Sequence, residues 1–429
     1  MLLSTSCFAI SILLGMSTAI QLDVNNQDSI KAAAKTIAHG MVSYYTGDQY
    51  GQTPGLLPEG YYWWEAGAMF GSLINYWYYT GDTTYNSIVM EAMLYQAAPT
   101  QDFMPQNQSR TLGNDDQAFW AISAMQAAEY NFENPPADSP QFNNGYDYKN
   151  SISQGCFFDL AARLGAYTGN TSYFDHADQM WEWSTRIGLV NTTDYAVFDG
   201  SDDKLNCTEL NHLEWSYNNG IFLHGAAVMW NQTNGTRQAL WRTRMEGLIA
   251  HSDIFFNNSN TIMTEQACES ANNCNTDQQS FKAYLSRWQA ATIKLAPWTT
   301  DLLFPRLKTS AQAAAQSCSG GTDGVTCGGR WWWMNSNGST TQWDGRYGAG
   351  QQMSALEVVQ SLLQPYVSGP MGNGTGATSI GDAGAGTARA GNDPTILAPI
   401  TTADRAGAGI LTVMAVAFTV GGGWWLCFV

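Results

Sequence analysis

The stretch Tyr79-Thr80-Gly81-Asp82-Thr83-Thr84-Tyr85 recurs as Tyr167-Thr168-Gly169-Asn170-Thr171-Ser172-Tyr173, and Asn231-Gln232-Thr233-Asn234-Gly235 is a degraded third copy. Each copy reads as a stop and restart: glycine ends one helix, Asp or Asn caps the next, and the second tyrosine packs back. This is αα-hairpin chemistry used repeatedly. On either side, apolar residues recur at helical spacing, as in Ile30, Ala34, Ile37, Met41 and Tyr45. The pattern predicts eleven helical segments, at 27–45, 63–80, 82–98, 114–131, 147–168, 170–187, 217–232, 235–256, 277–296, 298–316 and 344–364, with no alternating run that predicts a strand.

Loop lengths alternate along this series. Short turns follow the helices ending near 80, 168, 232 and 296, and long connections follow those ending near 45, 98, 187, 256 and 316. Hairpins joined this way build an all-α toroid in which every inner helix starts on the long-loop face. In that phase 114–131 and 147–168 are both inner helices, so an outer helix is missing between Asn131 and Tyr146. A toroid of twelve helices is short by one.

Composition narrows the function. The chain has 429 residues with 17 Trp, 20 Tyr and 17 Phe, and a net charge of −17, which argues against disorder and against nucleic acid or anionic lipid as the main partner. Residues 1–19 read as a secretory signal peptide, with an apolar run from Phe8 to Met16 that is too short to span a membrane. Residues 20–367 form the helical body, 368–405 a Gly/Ser/Thr/Ala-rich linker, and 406–429 an uncharged apolar tail. No basic stop follows that tail, which favours a removable GPI signal, with attachment among Gly384–Asn392, over a spanning anchor. Between those ends lie six cysteines, for which the near pairs Cys268/Cys274 and Cys318/Cys327 are the simplest disulfides among fifteen pairings. The five histidines (His39, His176, His212, His224 and His251) have no metal-ligand spacing and read as structural, so neither metal nor cofactor is expected.

The inner-helix starts converge on one mouth. There lie Trp63-Trp64-Glu65, Asn114-Asp115-Asp116-Gln117, Asp147 to Asn150, Tyr217-Asn218-Asn219, Asp277 to Lys282, and Asp344 to Tyr347. Glycoside hydrolysis commonly uses two carboxyls, and a separation of about 5–5.5 Å implies retention through a covalent intermediate. Asp115 and Asp116 qualify, although Asn-Asp-Asp ahead of an apolar run is equally a good helix cap. Trp63, Trp64, Trp331, Trp332 and Trp333 offer flat faces for sugar rings, against core packing as the alternative. Lys282, alone in an aromatic stretch, is either a site residue or a snorkelling one, and Arg346 shares that ambiguity.

Tyr62-Trp63-Trp64-Glu65-Ala66-Gly67, Asn114-Asp115-Asp116-Gln117, Tyr146-Asp147-Tyr148-Lys149-Asn150, Tyr217-Asn218-Asn219-Gly220 and Phe281-Lys282-Ala283-Tyr284 resemble glycoside hydrolase family 76, and more narrowly its fungal GPI-anchored members. The resemblance, over residues 22–365, implies an (α/α)6 toroid and retaining chemistry on α-1,6-linked mannose. By the same resemblance Asp115 is the nucleophile and Asp116 the acid/base. Trp63, Trp64, Asn114, Gln117, Lys149, Tyr217, Asn218, Asn219, Lys282, Trp332 and Trp333 bind substrate. It also implies an α-1,6-mannoside or GPI core glycan as donor, β-glucan as acceptor, and a place at the plasma membrane and cell wall. Similar proteins carry a further helix and a Cys- and Gly-rich loop where this chain has Pro135-Pro136 leading to Gly145. Two other readings stay open: a wall-bound mannan-binding protein without catalysis, and a purely structural wall glycoprotein.

Overall fold

Among the described residues eleven α-helices carry the body, and their order follows the alternation of short and long connections. The computed structural model describes residues 19–97, 103–105, 108, 112–133, 148–202, 206–257, 261–334, 338, 341–377 and 379. Six helices form an inner ring: α2 (Trp63–Thr80), α4 (Asn114–Glu129), α5 (Ser151–Thr168), α7 (Ser216–Gln232), α9 (Phe281–Leu295) and α11 (Ala349–Gln360). Each packs on the next, and α11 closes onto α2. Outside them lie α1 (Gln27–Val42) against α11, α3 (Asn86–Gln96) against α2, α6 (Ser172–Arg186) against α5, α8 (Gly235–His251) against α7, and α10 (Thr300–Ser317) against α9 and α11. Among the described residues α4 and α5 have no outer helix between them. Phe157 on α5 is 50% exposed. The segment 134–147, with Pro135 and Pro136, lies outside the described residues, as do the signal peptide through residue 18 and the anchor region from residue 380.

The repeated turn is a repeated hydrogen-bond pattern. Gly81 and Gly169 adopt φ of 77° and 74°, and their N–H groups donate to Trp77 and Gly165. Thr80 and Thr168 donate to the carbonyls four residues back and accept from the N–H of Asp82 and Asn170. Asp82 and Asn170 then accept from the N–H two residues on. The N-caps themselves are Tyr85 and Thr171, so the acidic or amide residue builds the turn rather than capping the helix.

One element overturns the sequence reading. Tyr148–Asn150 is a strand, β1, in a three-stranded antiparallel sheet with β2 (Phe198–Asp202) and β3 (Leu210–Glu214), and α5 starts only at Ser151. Asn150 can therefore end β1 and cap α5, with its Oδ1 accepting from Ser153 N at 2.9 Å. Both expected disulfides, Cys268–Cys274 and Cys318–Cys327, are present, while Cys156 and Cys207 are thiols. No helix among the described residues is long and apolar enough to cross a membrane.

Polar contacts tie the ring together beneath its mouth. Arg163 on α5 bonds Glu129 on α4 at 2.6 Å and Asp159 at 3.2 Å, and Asp159 meets His224 on α7 at 2.8 Å. These side chains are nearly buried, so removing the cation leaves the Glu129 carboxylate uncompensated and Asp159 with His224 alone. Arg163→Ala should cost about 3–5 kcal/mol of stability. Urea unfolding checks this, and a loss below about 1 kcal/mol would place the contact among those of little worth.

Candidate active site

The inner helices start at one end of the ring, and their first turns supply the carboxylates there. Asp116 is the third residue of α4, and its Oδ2 accepts from Gly113 N at 2.6 Å. Glu65 is the third residue of α2 and does the same with Tyr62 N at 2.8 Å. Each thus satisfies a helix-start donor. Asp115 points elsewhere: its Oδ2 accepts from the Nδ2 of Asn150 at 2.8 Å. One asparagine therefore caps α5 and holds the first aspartate.

Two adjacent aspartates have been given different surroundings. Burial, then the charge of Asp115, pushes the Asp116 carboxyl up to about 7, against the opposing Gly113 N–H. Burial pushes Glu65 up to about 8 with Asp277 adding to it, and Asp277 rises to about 6 through burial and the charge of Asp115. Tyr217, stacked on Phe281 with ring centroids 3.9 Å apart, is pushed well up by burial and then by Asp115, Asp199 and Asp277. The mouth can therefore hold, beside Asp115, a second aspartate that keeps a proton near neutrality.

The residues expected to bind substrate separate into groups. Asn114 is exposed at the first position of α4, Lys149 lies partly buried on β1, and Tyr217 is partly buried beside the carboxylates. Trp333 is 39% exposed, whereas Trp331 is fully buried. Trp332 sits between, donating its Nε1–H to Glu269 Oε2 at 2.8 Å. Trp63 is a core residue, with its Nε1–H on Gln96 Oε1 at 2.8 Å and its ring against Trp120. Trp64 is 8% exposed among Phe119, Phe281 and Tyr284. Asn219 is spent on the Leu248 carbonyl at 3.0 Å, Gln117 is buried, and Asn218 is buried with both amide atoms unpartnered among the described residues.

Lys282 departs most from expectation. It is 2% exposed, pairs with Glu269 Oε1 at 2.5 Å, donates to the Gly329 carbonyl at 2.5 Å and lies 4.0 Å over the Trp331 ring. It does not snorkel; it fixes Glu269, and through Glu269 it fixes Trp332. Arg346 likewise donates to the carbonyls of Cys274 and Asn272. Asn150, Asp277 and Glu65 are the mouth residues that motif reading undervalued. Their signal was position: each stands at or just before an inner-helix start.

With this geometry in place the comparisons decide the family. Residues 29–142 and 140–373 match the profile of Glycosyl hydrolase family 76. The chain belongs to that family, and it is a glycoside hydrolase. It is 42% identical to mannan endo-1,6-alpha-mannosidase DCW1 of Saccharomyces cerevisiae over 446 residues, covering 96% of both chains. It is 39% identical to mannan endo-1,6-alpha-mannosidase DFG5 of the same yeast over 455 residues, covering 98% of this chain and 97% of the other. The crystal structure of Dfg5 from Chaetomium thermophilum in complex with glucosamine superposes with a TM-score of 0.77 at 38% identity, covering 85% of this chain and 97% of that one. The two matched segments of the family profile meet at 140–142, inside the stretch where the helical phase lacks an outer helix.

The raised carboxyls set a stability trend. Each binds its proton more tightly when folded than at its ordinary value of 3.8 or 4.5, so its contribution is whole below about pH 4. That contribution is lost as pH rises through about 6 for Asp277, 7 for Asp116 and 8 for Glu65. Asp116→Asn, uncharged throughout and still able to accept from Gly113, should gain thermal stability relative to the parent between pH 5 and 8. A melting-temperature difference independent of pH over that range would contradict the assignment.

Proposed function

We propose that this hydrolase is a retaining endo-α-1,6-mannosidase or transglycosidase. It acts on α-1,6-mannose linkages of mannan or of the GPI core glycan, at the cell surface. The observation that carries the reading is the differing environment of the neighbouring pair, Asp115 held by Asn150 and Asp116 half-buried beside it with its carboxyl pushed up to about 7. Family membership and the printed activity of the yeast relatives support the substrate.

In the first half-reaction the two aspartates divide the work, in the roles the family resemblance gives them. An Asp115 oxygen attacks the anomeric carbon from the face opposite the leaving sugar, and the glycosidic C–O bond breaks. Asp116 gives its proton to the departing oxygen. The product is a mannosyl ester on Asp115 and an anionic Asp116. In the second half-reaction Asp116 takes a proton from water or from a sugar hydroxyl, whose oxygen displaces Asp115 and restores the original anomeric configuration. The acidic first turns and the helix N-termini keep the developing carboxylate charges near positive peptide ends.

A GPI tether at the C-terminus, a signal peptide at the N-terminus and β-glucan as the acceptor complete the proposal. They rest on the uncharged tail after Arg405 and on the family resemblance. Mass of the mature C-terminal peptide checks the tether: it should end among residues 384–392 and carry a lipid glycan, and intact protein retaining Trp424-Trp425 would rule it out.

Two variants test the division of labour. Asp115→Asn should form no sugar–enzyme ester with any donor. Asp116→Asn should form the ester from an activated mannosyl fluoride, and azide should release the α-mannosyl azide. Mass spectrometry separates these outcomes from the capping role, in which asparagine serves as well as aspartate and both variants keep their activity. In the parent enzyme, turnover of unactivated substrate should fall as pH rises through about 7, where Asp116 loses its proton. A rate that stays level to pH 9 would remove Asp116 as the acid.

A further inference from the structure

Both oxygens of Asp115 are constrained by neighbours. Oδ2 accepts from the Nδ2 of Asn150 at 2.8 Å. Oδ1 lies against Gly113: a Cβ built on that glycine would stand inside 3.0 Å of it, closer than real Cβ atoms come to other atoms.

The backbone does not require a glycine at position 113. Its φ of −83° and ψ of 170° are extended values that any residue adopts, and it is the N-cap of α4. Ser, Asp and Asn are preferred over glycine at an N-cap, so the helix by itself favours another residue there. The Gly113 N–H serves Asp116 Oδ2 at 2.6 Å, and any residue except proline supplies that bond. The same added Cβ would stand 3.4 Å from Asp116 Oδ2, an ordinary contact. A side chain at 113 therefore displaces the Asp115 carboxylate and spares the Asp116 bond.

Asn150 is fixed from the other side. As the last residue of β1 it pairs with Gly200 of β2, and the next residue, Ser151, donates its hydroxyl to the Phe198 carbonyl. Its Oδ1 accepts from Ser153 N at 2.9 Å, so its amide has one workable orientation, oxygen toward the start of α5 and nitrogen toward Asp115. A serine would cap α5 as well, but its one oxygen, engaged by Ser153 N, falls short of Asp115.

We propose that Gly113 and Asn150 are positioning residues for the nucleophile. Asn150 holds Oδ2 and Gly113 leaves room for Oδ1, and together they set the plane of the Asp115 carboxylate. Oδ1, the oxygen that Asn150 leaves open, is then the one that bonds to the anomeric carbon as the leaving group departs with its bonding pair. The inference rests on Asp115 as nucleophile and adds what aims it. Neither residue touches the sugar.

The test uses the full mature chain carrying Asp116→Asn, in which the ester accumulates, with α-1,6-mannobiosyl fluoride as donor. Fluoride leaves without needing a proton, so the rate of ester formation, read by mass spectrometry, reports Asp115 and not the acid. Gly113→Ala and Asn150→Ser are compared with that parent, singly and together. Each single substitution should slow ester formation about a hundredfold, the cost of misplacing a reacting atom by about 1 Å. Affinity for α-1,6-mannobiose should stay within about threefold of the parent, and the melting temperature should be held. The double variant should lose far less than the product of the single losses, because both act through one carboxylate. Ester formation within about twofold of the parent in both single variants would overturn the proposal, and so would losses that multiply in the double variant. Losses that track a lowered melting temperature in both variants would assign the two residues to folding and overturn it as well. If the Asp116→Asn parent itself forms no ester, the reading of Asp115 as nucleophile fails, and the proposal with it.

Discussion

Arg287 closes the ring. From α9 its guanidinium reaches Glu357 on α11 at 2.6 Å and, on α2, the hydroxyl of Ser72 at 2.8 Å and the carbonyl of Ala68 at 3.2 Å. Glu357 also accepts from Asn75 of α2, and Asn75 from Gln126 of α4. Glu129, Arg163, Asp159 and His224 continue the path through α5 to α7. A buried charge without a partner is far costlier than one fully bonded. The belt therefore favours the arrangement in which all six inner helices are in register. Between α7 and α9 packing does the same work: a Cβ on Gly220 would stand 2.9 Å from the Trp288 ring, so the absence of a side chain lets the two helices touch.

That register is what makes the mouth. Six helix starts at one level place Glu65, Asp115, Asp116 and the caps of their neighbours within one electrostatic field. The hydrogen bonds of the two aspartates go different ways, one to its own helix start and the other across to Asn150 on α5, while burial and the charge of Asp115 raise the Asp116 carboxyl against its bond from Gly113. The spacing between α4 and α5 thus enters the chemistry directly. A second line of support runs from Lys282 to Glu269 to Trp332, so an aromatic side chain in a Gly-rich loop is set by an ion pair in the core.

What the sequence disclosed divides along the range of the forces involved. The hairpin turns were legible because every bond in them lies within a few residues, from Thr80 to Thr84 and from Thr168 to Ser172. The inner and outer phase followed from loop lengths, and with it the position of Asp115 and Asp116. The strand at Tyr148–Asn150 was not legible, since its partners at Gly200–Asp202 lie about fifty residues on and carry no alternating pattern. The ion pair of Lys282 was hidden for the same reason: its nearby sequence is aromatic, and nothing in the sequence marks Glu269 as its counter-ion. Asp277 stands before α9 as the aspartate pair stands in α4, but its weight depends on facing Asp115 across the mouth.

The gap in the outer layer bears on function through the inner one. An outer helix covers its neighbours without contributing a start to the mouth, and among the described residues the six starts are in place while Phe157 is 50% exposed. The belt does not pass through the outer layer either, for Glu129 and Arg163 join α4 to α5 directly. At the far end of the ring the chain beyond Val367 lends further support. Tyr78 donates to the Ser368 carbonyl, Met371 N donates to the Glu129 carbonyl, and Asn373 N donates to that of Ala166. This strap crosses the ends of α2, α4 and α5, bridging the two inner helices that lack an outer neighbour among the described residues, and it encloses a cavity of about 290 Å3 away from the carboxylates. The same backbone bonds make residues 368–377 part of the body rather than the start of a linker. The carboxylate mouth and the strap occupy opposite ends of one ring, so the strap braces α4 and α5 at one end while Asn150 joins them to Asp115 at the other.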